Sequence, residues 1–93
     1  MAHTLDDATI RDRLSGLQGW SLQDGKLHRE YRFDDFSAAF GFLSRVALLA
    51  EKHNHHPDIQ NSYSRVVLEL VSHDAGGVTD ADLEMAGAIQ ALA

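Results

Sequence analysis

Residues 34–54, DDFSAAFGFLSRVALLAEKHN, set the strongest constraint on how this chain folds. Phe36, Ala39, Phe40, Leu43, Ala47 and Ala50 recur at three- and four-residue spacing, the period of one helical face. Phe42, Val46 and Leu49 widen that stripe or form a second one. A helix apolar over so much of its circumference is either deeply buried or shared with a subunit neighbour. Asp34 or Asp35 caps its start. Pro57, the only proline of the chain, sets its end. The residue before a proline is driven toward extended geometry, so the helix stops near Asn54 and His55-His56-Pro57 enters the next strand extended.

On both sides of this helix the pattern changes to a period of two. WSLQDGKLHREYRF (20–33) reads as a β-hairpin turning at Asp24-Gly25. Leu27, Arg29, Tyr31 and Phe33 then share one face; His28, Glu30 and Arg32 form a polar face that meets solvent. Trp20 reads as core, and Asn61 and Tyr63 as hairpin residues. DIQNSYSRVVLELVS (58–72) is a second hairpin turning near Ser64-Arg65, with Val66, Leu68 and Leu70 on one side and Val67, Glu69 and Val71 on the other. TLDDATIRDRL (4–14) is a first helix, with Thr4 as cap and Asp7 three positions on. Leu5, Ala8, Ile10 and Leu14 give it an apolar side. Gly76-Gly77 breaks the chain, and TDADLEMAGAIQALA (79–93) forms a last helix with Thr79 as cap and Asp82 at its third position. The expected order is α-β-β-α-β-β-α: an α+β fold, a four-stranded antiparallel sheet with helices packed on one face.

Ninety-three residues are expected to form a single domain, 1–93. There is no cysteine, so neither a disulfide nor a thiolate zinc site is available. A net charge of -6 argues against nonspecific nucleic-acid binding, which needs clustered cations. No apolar run reaches the roughly 18 residues that span a bilayer. The first residues lack the basic and apolar regions of a secretory signal, so the expected location is cytoplasmic.

Four of six histidines lie between His53 and His73. If the second hairpin turns at 64–65, residues around 56–57 stand opposite residues around 72–73. Register alone then brings His55 or His56 near His73. Three readings follow. The rings are idle surface groups, or they join a metal site with His53 and Asp74, or they act as acids and bases. A metal site needs three or four convergent ligands, and adjacent residues of an extended chain point opposite ways. Acid–base work needs only imidazoles in a cleft, since histidine's ordinary pKa of about 6.5 makes both protonation states accessible. Covalent catalysis has little to draw on: there is no cysteine, and no serine lies in a G-x-S-x-G turn.

The block FGFLSRVALLAEKHNHHPDIQNSYSRVVLELVSHDAGGVTDADLEMA resembles the pterin-4a-carbinolamine dehydratase family. The matching motifs are E-K-x-x-H-H-P, N-x-Y and H-[DE]-x-x-G-[LV]-[ST]-x-x-D. The resemblance implies loss of water from 4a-hydroxytetrahydrobiopterin to give quinonoid dihydrobiopterin. It implies that His55, His56, His73 and Asp82 form the catalytic set, and that Asn54 to His56 and Val71, Ser72, His73 and Asp74 line the pterin pocket. Neither metal nor cofactor is then required, since the pterin is the substrate. Homodimers or homotetramers are implied, with a functional link to an aromatic amino-acid hydroxylase. A non-catalytic role as a dimerisation or assembly cofactor for a protein partner is the alternative. Ile59 departs from the family, which often has tryptophan there, and Asn54 stands where some members carry an acid.

Overall fold

The alternation of periods resolves into α1 (Asp7–Leu14), β1 (Ser21–Gln23), β2 (Lys26–Arg32), α2 (Phe36–His53), β3 (Asp58–Ser62), β4 (Arg65–Leu70) and α3 (Asp80–Gln90). The computed structural model describes residues 3–93. The strands form one antiparallel sheet in the order β1-β2-β4-β3. The α+β architecture and the order of elements are those expected from the sequence.

The two central strands, β2 and β4, hold the core. Leu27 and Tyr31 of β2 and Val66, Leu68 and Leu70 of β4 are buried on the face beneath the helices. His28, Glu30 and Arg32 alternate with the core residues of β2 and take the other face, where His28 pairs with Glu69 at 3.0 Å. The first hairpin turns at Asp24-Gly25, as expected. Both residues have positive φ, 51° and 76°, the turn whose twist matches that of the flanking strands.

Three local expectations need correction. The first concerns α1. Asp6 caps it rather than Thr4, accepting the Thr9 amide proton at 2.8 Å. The Leu5 amide instead donates to the Val78 carbonyl at 2.9 Å, which ties the segment before α1 to the approach to α3.

The second concerns the inner face of α2. It carries Ala39, Phe42, Leu43, Val46 and Ala50. Phe36 and Phe40, placed on the inner stripe by spacing, are 52% and 55% exposed, and Leu48 is 73% exposed. The observed face keeps Ala39, Leu43 and Ala50 of the expected stripe and takes Phe42 and Val46 from the second set, a choice that spacing alone did not make. The sheet decides between them: the Phe42 ring lies 4.7 Å from Tyr31 and 5.1 Å from Phe33, centroid to centroid.

The third concerns the second hairpin, which turns at Tyr63-Ser64, one residue early. Tyr63 takes φ 51°, and the Asn61 side-chain amide braces the turn by donating to the carbonyls of Tyr63 and Arg65 at 3.1 and 3.0 Å. Asp58 thus stands opposite Glu69, two residues from the partner that a turn at 64–65 implies. Among the described residues, no helix is long and apolar enough to cross a membrane.

Candidate active site

Two chain reversals bring the clustered histidines together. The first ends α2. Asn54 adopts the left-handed conformation, φ 51° and ψ 41°, which asparagine tolerates better than most residues. The His55 amide reaches back to the Ala50 carbonyl at 3.1 Å, the long bond of a Schellman closure. Pro57 is buried and follows at once, so His55 and His56 leave the helix as an extended pair.

The second reversal follows β4. Ser72 and Gly77 form an isolated bridge, with the Ser72 amide donating to the Gly77 carbonyl at 3.0 Å. The amides of Ala75, Gly76 and Gly77 converge on the Ser72 carbonyl at 3.1, 2.9 and 3.3 Å. Gly76 sits at φ 81°, where a side chain is strained. This tight loop presents His73 and Asp74 to solvent, directly across from the end of α2.

Between the reversals lies an open cleft of about 380 Å³, lined by Asn54, His55, His56, Val71, Ser72, His73 and Asp74. All seven residues proposed from the sequence as a ligand pocket therefore share one concavity. Its volume is within the range of small-molecule sites. His3 and His53 are exposed and His28 lies on the sheet; none of these three lines the cleft.

The cleft histidines differ sharply in their surroundings. The His55 side chain is 21% exposed and its Nε2 lies 2.5 Å from Oδ1 of Asp82, which is wholly buried. A buried carboxylate is tolerated only when its lone pairs are satisfied. Here Oδ2 accepts from the Ser72 hydroxyl and from the Thr79 amide, each at 2.9 Å. The Thr79–Asp82 pair is the capping box read from the sequence, so Asp82 closes the N-terminus of α3 with one oxygen and holds an imidazole with the other. Because a carboxylate held by donors accepts, His55 carries a proton on Nε2 in either of its protonation states. Its Nδ1 makes no hydrogen bond within the described chain.

His56 is more open. Its Nε2 meets Glu51 Oε2 at 2.5 Å, with both side chains more than half exposed, so this pair adds little stability but does fix the ring. The His73 ring is exposed and has no hydrogen-bond partner among the described residues. Among the described residues, no group of three His, Cys, Asp or Glu side chains is arranged to hold a metal ion. Sequence spacing gave Thr79 only a cap role. Its hydroxyl also meets the Ser72 hydroxyl at 2.9 Å, a contact that depends on how the 72–77 loop closes.

Comparison with known proteins gives the family of the chain. The family model described as pterin 4 alpha carbinolamine dehydratase matches residues 3–92. A protein of Solibacter usitatus, named provisionally as a pterin-4-alpha-carbinolamine dehydratase, is 45% identical over 93 residues, covering all of this chain and 98% of its own. One of Rhizorhabdus wittichii with the same provisional name is 50% identical over 91 residues, covering 96% and 94%. Among solved structures, a transcriptional coactivator/pterin dehydratase of Brucella melitensis superposes with a TM-score of 0.93 at 40% identity, over 98% of this chain and 99% of that one. A pterin dehydratase-like protein identified as a RuBisCO assembly factor shares the fold at a TM-score of 0.69 and 24% identity, over 81% and 89% of the two chains. With both the family model and these relatives covering nearly its whole length, the chain belongs to the pterin 4 alpha carbinolamine dehydratase family.

Proposed function

We propose that the protein catalyses loss of water from 4a-hydroxytetrahydrobiopterin by histidine general acid–base catalysis. The observation that carries this reading is the convergence of His55, His56 and His73 on one cleft, with His55 held by a buried carboxylate. In the reaction, the 4a carbon–oxygen bond breaks as the departing oxygen takes up a proton. The electrons come from N5, which forms a double bond to C4a and releases its own proton. One acid and one base suffice, and general acid–base help is typically worth about 10²–10⁴-fold.

His73 and His55 are assigned to the departing hydroxyl. His55 gives its proton from Nδ1 as the doubly protonated imidazolium, because Nε2–H is committed to Asp82 and a singly protonated ring would have no proton on Nδ1. His56, steadied by Glu51, holds the pterin and accepts the N5 proton. Asp82 is shielded from the cleft, so its part is to position His55. The product, quinonoid dihydrobiopterin, suits recycling of the pterin used by an aromatic amino-acid hydroxylase in the cytoplasm. To test the activity, carbinolamine generated by such a hydroxylase is mixed with the protein and its decay followed by absorbance. Decay faster than in buffer is expected; equal decay contradicts the proposal.

The partner half of the reading rests on α2. Phe36, Phe40 and Leu48 are exposed on its outer side, and Leu48 and Leu49 border a second, apolar hollow with Leu92. An apolar side of this kind favours association of copies into homodimers or homotetramers. Light scattering is expected to give a mass above one chain, falling to one chain for Leu48→Glu. A monomeric parent protein would contradict it.

A further inference from the structure

We infer that Ser72 is a positioning residue for both proton-transfer arms of the site, and that its hydroxyl serves Asp82 rather than the pterin. The inference rests on the dehydratase reading and goes beyond it in assigning a role to a residue that has no acid–base chemistry of its own. Ser72 is 5% exposed. Its side chain and its backbone do separate work.

Consider the hydroxyl first. Ser72 Oγ lies 2.9 Å from Asp82 Oδ2 and 2.9 Å from Thr79 Oγ1. Proton counting fixes the directions. The ionised carboxylate only accepts, so Ser72 gives its single proton to Asp82, and the Thr79 hydroxyl then donates to Ser72. The chain runs from Thr79 to Ser72 to Asp82, and the far oxygen of that carboxylate receives the Nε2 proton of His55 at 2.5 Å. Two fixed donors on Oδ2, the Ser72 hydroxyl and the Thr79 amide, hold the carboxylate plane. Without the hydroxyl, a wholly buried charge loses one of its three donors and part of its orientation, and His55 loses with it the restraint that keeps Nδ1 free.

The backbone of the same residue closes the loop that carries His73. Its carbonyl gathers three amides, and its own amide returns to Gly77. His55 and His73, the two groups assigned to the departing oxygen, are thus referenced to one residue. Geometry of this kind sets the rate of proton transfer more than the affinity for substrate.

The test compares Ser72→Ala, which deletes only the hydroxyl, with Ser72→Thr, which keeps it. Each variant is measured for kcat and KM, and the tautomer of His55 is read from ring ¹⁵N shifts. Ser72→Ala is expected to lower kcat about tenfold or more, the loss of one hydrogen bond to a buried charge, with KM within about twofold. The His55 Nε2–H signature is expected to weaken as well. Ser72→Thr is expected to recover most of both. If Ser72→Ala fails to fold, the same quantities are read in Ser72→Cys, whose thiol is a weak donor. Unchanged kcat together with unchanged His55 signals in the folded variant overturns the inference, and so does a rise in KM alone, which would make Ser72 a ligand contact. A wild-type protein that does not dehydrate the carbinolamine counts against the dehydratase reading only; the ring signals still decide the role of Ser72.

Discussion

Asp82 carries two duties that a sequence reading keeps apart. It was legible both as the acid of a capping box and as a family acidic position, and the structure makes these the two oxygens of one carboxylate. Asp82→Asn separates them. The variant keeps the shape but offers a single acceptor oxygen to donors that now occupy both. Stability is expected to fall by about 1–3 kcal/mol, the usual cost of an unsatisfied buried group, as measured by urea denaturation. Dehydration is expected to fall at least tenfold in variant that remains folded. A variant that loses stability yet keeps its turnover would make Asp82 a cap and nothing more. What the residues alone did not reveal is the hydroxyl pair behind this carboxylate. Ser72 and Thr79 are seven positions apart, and only closure of the glycine loop makes them neighbours.

Legibility at the level of elements follows how local each cause is. The end of α2 was readable because Pro57 and Asn54 act on their own stretch of backbone, as was the first hairpin, because Asp24-Gly25 dictates its turn. The second hairpin lacked such a signal, since its turn residues are Tyr63 and Ser64 and its brace is the side chain of Asn61. The rotation of α2 was not readable for a different reason. Apolar residues on both sides of the helix satisfy the same period, and the choice was made by Tyr31 and Phe33, which lie outside the helix and reach it only through the fold of the sheet. That choice has a direct consequence. Phe42→Ala, which empties a fully buried site, is expected to cost about 3–5 kcal/mol. Phe40→Ala, on the outer side, is expected to cost under about 1 kcal/mol in the isolated chain. Chemical denaturation of the two variants under conditions that favour monomer decides between the stripes, and equal losses would contradict the observed rotation.

For the molecule as a whole, three groups shape its response to pH. The Thr9 amide holds the Asp6 carboxyl below the usual aspartate range. The Arg65 guanidinium does the same for Glu30, with smaller help from Arg32. Both carboxyls favour folding while ionised, so their contribution is present above the ordinary carboxylate range and is lost as pH falls through their lowered values. Tyr31 behaves in the opposite sense. Burial raises its phenol above the usual tyrosine value despite the nearby Arg29, so stability holds below that usual value and declines as pH rises toward the raised one. Thermal denaturation across pH is expected to trace a plateau with an acid and an alkaline edge. Glu30→Gln is expected to soften the acid edge and Tyr31→Phe the alkaline one; edges unmoved by either change would contradict these assignments. The central claim is that one cleft passes protons to and from a single carbinolamine, and the most direct measurement is its turnover in single-histidine variants. His55→Ala and His73→Ala are each expected to lose about 10²-fold in kcat, while His53→Ala, at the end of α2 but outside the cleft, keeps the parent rate. Full turnover in either cleft variant, or an equal loss in His53→Ala, would contradict the account.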